Sequence, residues 1–142
     1  MTNTDAVIGA IVAALLADAA VTAAFAGRPV QILDAPPSRS AAGRSVKGYP
    51  AVIVAGLETE FGEDCSPDRL RVEIDVWDQG ESAGRCRNIA RAVFAALNGG
   101  LSLDGHTVNF IRPQRLRSIG DPDPGIDRIR IDVLLHVTAH AP

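Results

Sequence analysis

Hydrophobic and polar positions alternate most cleanly from Leu70 to Val76. Leu70, Val72, Ile74 and Val76 fall on one side of an extended chain, and Arg71, Glu73 and Asp75 fall on the other. Period two of this kind marks a strand with one buried and one wet face. The stretch DQGES breaks the pattern and leaves Ser82 placed to cap a helix. Cys86, Ile89, Ala90, Val93 and Leu97 then recur at helical spacing, with Arg85, Arg87 and Arg91 between them. Gly99 and Gly100 stop that helix, as glycine just past a helix end does. A half-buried strand therefore feeds a helix whose apolar stripe can cover the sheet.

The remaining elements pair with this strand or pack against this helix. Near the start, Thr4 caps a helix whose broad apolar face is Val7, Ile8, Ile11, Val12, Leu15 and Leu16. Asp18 caps a second short turn through Val21 and Phe25, which Gly27 ends. Val30 to Leu33 predicts a short strand. Ala51 to Phe61 predicts a longer one, joined to Leu70 by the acidic tip GEDCSPDR, so these two strands pair antiparallel. Beyond the central helix, Thr107 to Ile111 predicts a strand that Leu116 to Ile119 continues. Pro113 confines it to an edge or a bulge. After the turn DPDPG, Ile129, Ile131, Val133, Leu135 and Val137 face inward, while Arg128, Arg130, Asp132 and His136 face outward. The order α, short β, ββ, α, ββ gives an α+β fold: a single antiparallel or mixed sheet of four to five strands, with two helices packed on one face.

Composition refines this picture. A chain of 142 residues suits one domain over 1–142, with an N-terminal helix at 4–26, a basic loop at 36–50, and the sheet and central helix at 51–138. Aromatic residues are only 4%, so the core is aliphatic and alanine-rich. The net charge of −3 argues against binding held mainly by phosphate contacts. The apolar run from Ala6 to Ala26 has no Lys or Arg before it and is interrupted by Asp18, which favours a buried helix over a signal peptide or a membrane span. Cys65 and Cys86 form no C-x-x-C pair; two free thiols in a reducing compartment are the favoured reading, with a disulfide between them the alternative.

The candidate chemistry is sparse. His106, His136 and His140 are scattered, without HExxH or a paired-cysteine spacing, so no metal site is expected. No phosphate loop or G-x-S-x-G occurs, and no catalytic residue or cofactor is predicted. DPDPGID differs from a calcium loop in having Gly125 fifth and Ile126 sixth. What stands out is a basic Pro/Ser/Gly-rich arm with Arg39, Arg44 and Lys47, and a cluster of Arg112, Arg115 and Arg117 beside the edge strand. The arm is read either as a solvated loop or as a segment that orders on a partner. Trp77 falls on the polar side of its strand. There it is either tucked under the following turn or an interface anchor, since Trp is enriched at hot spots. Glu73, Asp75, Arg128, Arg130 and Asp132 are placed to pair across the sheet.

Taken together, the alanine-rich helix ending ADAAVTAAFAGR, the Pro-containing loop into YPAVIVAGLETE, the VEIDVW strand, the Arg- and Ala-rich helix ending ALNG, the following LDG and the last alternating strand resemble one family. It is that of the tail completion proteins of long-tailed phages, also called tail terminators or tail-to-head joining proteins. The resemblance runs from Asp5 to Val137. It implies a structural protein, not an enzyme, that forms a hexameric ring on the head-proximal end of the tail tube. Its partners would be further copies of itself, the tail tube protein and the head connector protein, in a phage, prophage or gene transfer agent. DNA would pass through without specific binding, and no membrane would be involved. Such a protein is assembled in the host cytoplasm and resides in the virion. A nucleic-acid-binding adaptor using the two basic clusters, or a small ligand-binding α+β domain, are the alternatives that the residues leave open.

Overall fold

The computed structural model describes residues 4–33, 49–60, 68–79, 84–119 and 125–140. Along the chain come α1 (Thr4–Ala17), α2 (Ala19–Ala24), β1 (Ile32–Leu33), β2 (Ala51–Glu60), β3 (Asp68–Gln79), α3 (Gly84–Asn98), β4 (His106–Ser118) and β5 (Ile126–Ala139). The five strands form one mixed sheet in the order β1-β2-β3-β5-β4. Only β1 and β2 run parallel, and the other neighbours are antiparallel. The α+β class and the single mixed sheet thus follow the sequence pattern.

Two helices, α1 and α3, pack on the sheet as expected, and a third, α2, packs against those two. The N-terminal helical segment breaks at Asp18, whose backbone is extended and whose carboxylate accepts the Val21 N–H at 3.0 Å. That bond satisfies one of the donors a new helix leaves unpaired, so the chain turns there and starts α2. The apolar face of α1 is also narrower than the residue types suggest. Val7, Ile11 and Leu15 are fully buried, whereas Leu16 is 51% exposed. A helix with a single stripe against its neighbours leaves the adjoining positions in solvent. Among the described residues, no helix is long and apolar enough to cross a membrane.

The core lies between the helices and one face of the sheet. Leu70, Val72, Ile74 and Val76 of β3 join Ile129, Ile131, Val133, Leu135 and Val137 of β5. From α3 come Cys86, Ile89, Ala90, Val93 and Leu97, and from the N-terminal helices Val7, Ile11, Leu15, Val21 and Phe25. These are the positions expected from the two periodicities. Gly100, at φ +110°, ends α3 in a conformation that L side chains rarely adopt, and its N–H returns to the Leu97 carbonyl at 3.1 Å. Strand β4 lies at the edge, as Pro113 requires. Its register with β5 shifts between Val108 and Phe110 and again between Pro113 and Arg115. The 36–48 part of the basic arm, the acidic tip with Cys65, the Ser82 cap and most of DPDPG lie outside the described residues.

Cys86 sits at the core end of α3 with its thiol 3.5 Å from the Val76 carbonyl oxygen. Burial, reinforced by the nearby Asp78 and Asp127 carboxylates, pushes this thiol from an ordinary 9.0 up to about 12. Between those two values the unfolded chain has lost the thiol proton and the folded chain keeps it, so stability falls as pH rises. Urea denaturation across alkaline pH should show Cys86→Ala losing stability less steeply than the wild type from about pH 9 upward, with equal slopes below it. Identical slopes above pH 9 would contradict the burial of this group.

Candidate interaction surface

The sheet face away from the helices carries the charged half of each alternating strand. At its centre is Asp75, only 8% exposed. Arg128 of β5 donates to it through Nη2 at 2.7 Å, and Arg130 through Nε at 2.8 Å and Nη2 at 3.2 Å. The cross-strand partners Asp75 and Arg130 face each other in the β3–β5 register, and Arg128 lies opposite Trp77. Hydrogen bonding to Asp75 raises the Arg130 pKa above its already high value, so this guanidinium is permanently charged. Arg130 also reaches Glu73 at 3.5 Å, and Arg117 reaches Asp132 at 3.6 Å. The pairing expected among these strand residues is present, as a network between β3 and β5 and a separate Arg117–Asp132 pair between β4 and β5.

Trp77 flanks this network. Its ring packs with Ala51, Ile53, Leu33 and Tyr49 in a small second apolar cluster on the open face. The Arg128 guanidinium carbon lies 4.9 Å above the ring centroid, a cation–π arrangement. Trp77 is thus half-buried across β2. Its indole Nε1 and the Nε of Arg128 are both buried, with no hydrogen-bond partner among the described residues. A buried donor without a partner carries a desolvation cost, so this corner of the face is less well satisfied than its centre.

Arg112, Arg115 and Arg117 lie along β4 opposite Leu134, Asp132 and Arg130, which places all three on the open face. Arg112 stacks 4.5 Å above the Phe110 ring, which itself lies parallel to His136 at 5.1 Å. Above the second bulge is a cleft of about 420 Å³ lined by Arg71, Glu73, Gln114, Arg115, Arg117 and Asp132. Its charges alternate in sign, which suits a mixed protein surface better than a phosphate group. Arg39, Arg44 and Lys47 lie outside the described residues. His106 bonds to the Asp104 carbonyl and His140 to Thr107, each at 2.8 Å. Among the described residues, no group of three His, Cys, Asp or Glu could hold a metal ion.

One pair escaped the sequence reading. Asp78, only 2% exposed, receives both Arg85 Nε and Nη2 at 2.7 Å and also the Gln79 N–H at 2.8 Å. This fork holds the first turn of α3 against the end of β3. The signal was available: Asp78 is in phase with Leu70, Val72, Ile74 and Val76, and a carboxylate on the apolar phase needs a partner.

A family model described as tail completion protein gp17 matches residues 9–138. A chain in the virion of a native gene transfer agent particle has the same fold, with a TM-score of 0.75 at 19% identity, covering 93% of this chain and 94% of that one. No curated protein matches.

Removing Asp75 leaves two guanidinium groups against one another on a sheltered face. Asp75→Ala should cost about 3 kcal/mol in urea denaturation, in the range for breaking one partner out of a buried ion pair. A loss under about 0.5 kcal/mol would mark the network as an ordinary surface feature.

Proposed function

The chain belongs to the tail completion protein gp17 family, and from that membership we propose that it forms a ring that closes the head-proximal end of a tail tube and docks it to the head connector. The family match over residues 9–138 carries this reading. The open sheet face supports it, because a ring subunit needs surfaces beyond those that build its own core. A closing ring uses a heterologous interface, in which two different patches of one chain meet. We take the ring to be hexameric, assembled in the host cytoplasm and retained in the virion. Its neighbours are the tail tube protein and the connector.

DNA passes through such a ring without being held. The net charge is −3, and Arg117, Arg128 and Arg130 on the open face already have carboxylate partners. Tight phosphate binding requires cations that are free to displace counterions. The role is architectural, not catalytic. Trp77 is the interface anchor in this reading, with Arg112, Arg115 and Arg117 on the same face and Arg39, Arg44 and Lys47 on the arm as further contacts.

Electron microscopy of the concentrated protein, or of tails completed with it, should show rings coaxial with the tube; single copies or off-axis placement would refute the reading. Trp77→Ala should lower Tm by no more than about 5 °C yet weaken association by about 2 kcal/mol or more. A loss of about 3–5 kcal/mol in the monomer itself would assign Trp77 to packing instead.

A further inference from the structure

Helix α1 breaks the rule that the solvent side of a helix is polar. Its exposed positions are Asp5, Gly9, Ala13, Leu16 and Ala17, one continuous stripe, and only Asp5 is polar. Helix α3 shows the ordinary case, with Arg87, Asn88, Arg91 and Asn98 among its exposed positions. A helix that is apolar all round is one that a structure buries. Glycine and alanine keep the α1 stripe flush with the backbone, and Leu16 stands out from it at 51% exposure.

The other exposed large apolar side chain among the described residues is Leu116, at 40%. It lies opposite Ile131 in the β4–β5 register, on the helix side of the sheet. There it borders a groove of about 280 Å³ between α3 and β4. Leu116 and Ile129 are the apolar lining, and Arg87, Arg91 and Arg117 the charged one. An apolar cavity of about 150 Å³ admits benzene, so this groove has room for a leucine side chain. One of the two leucines is thus a knob and the other lies in a hollow.

A single chain cannot join them. Helix α1 packs on β1, β2, α2 and α3 and does not approach β4 or β5. Strand β4 is the opposite edge in the order β1-β2-β3-β5-β4. From β2 to β4 is three strand spacings, roughly 14 Å. The charges also match. The last turn of α1, which holds Leu16, has no basic residue. The carbonyls of a helix end carry partial negative charge and accept hydrogen bonds from arginine side chains. Asp18 follows at once, the only charged residue between Asp5 and Arg28. The knob therefore sits on a negative helix end, and the hollow presents guanidinium groups.

We infer that Leu16 and the carbonyl end of α1 in one copy of this chain seat in the α3–β4 groove of the next copy. The leucine packs against Leu116, and the helix end meets Arg87 and Arg91. The inference rests on the ring reading and names two patches that meet in it. They differ and lie at opposite edges of one sheet, so the contact is head-to-tail and can repeat until it closes.

Cysteine pairing tests it. Cys86 is buried and stays in place; Cys65→Ser removes the other thiol. Leu16→Cys and Leu116→Cys are then made singly and together. Under conditions where the wild type forms rings, oxidation of the double variant should give a ladder of linked chains on a denaturing gel. The two single variants mixed should give dimers only, and neither alone should link. A disulfide needs Cα atoms within about 7 Å, so the ladder reports direct contact. Leu16→Lys should keep the wild-type melting temperature, since Leu16 is exposed in the subunit, yet weaken association at least tenfold. Rings that form without the link, or that tolerate Leu16→Lys, would overturn this inference and leave the ring reading standing. Linking by either single variant alone would also overturn it, because like patches would then be meeting. So would Leu16→Lys rings that close normally and fail only in joining tails, which would give α1 to a tail partner. A wild type that never self-associates, even on completed tails, would overturn both readings.

Discussion

The fold depends on β3 being hydrogen-bonded along both sides. Twelve residues, Asp68 to Gln79, pair with β5 in unbroken register, and most of them pair with β2 as well. A slip of one residue would exchange the two faces, driving Arg71, Glu73 and Asp75 into the core and Leu70, Val72, Ile74 and Val76 into water. The apolar set is held by α3. The Asp75 fork to Arg128 and Arg130 marks the same register from the other side. The Asp78–Arg85 fork then carries that register into the helix that covers the sheet. Strand, sheet and helix are thus positioned by one alternating segment.

What could be read from the chain was local. Alternation in β3 and β5, the stripe of α3, the Asp18 cap and the edge position forced by Pro113 each depend on residues near in sequence. Strand order is not local. Strand β4 follows α3 yet goes to the edge, and β5 returns to fill the place beside β3; no spacing within either strand encodes that exchange. The position of Trp77 depends on the same kind of information, since its neighbours Ala51, Ile53 and Tyr49 come from β2 and the residues before it. Asp78 was the exception, a residue whose phase alone called for a partner.

The distribution of charge distinguishes structural from interaction roles more clearly than residue type does. Arg85, Arg128 and Arg130 are engaged at short distances with sheltered carboxylates and serve the fold. Arg87 and Arg91 on α3, and Arg112 and Arg115 on the open face of β4, have no carboxylate partner among the described residues. In a tail completion protein, uncompensated charge of this kind is where function can be looked for, because it costs the folded chain something and returns nothing to it.

The irregular edge of β4 has a consequence for how the protein behaves when crowded. Two register shifts and a proline lacking its N–H make this 13-residue strand a poor template for another strand. Copies that collide edge to edge cannot zip their backbones into a continuous sheet, a union that would be slow to reverse and open-ended. They must meet through side chains, whose contacts form and break quickly and depend on salt. Misplaced encounters then come apart before they accumulate, and solubility survives at the local concentrations that building a large particle requires.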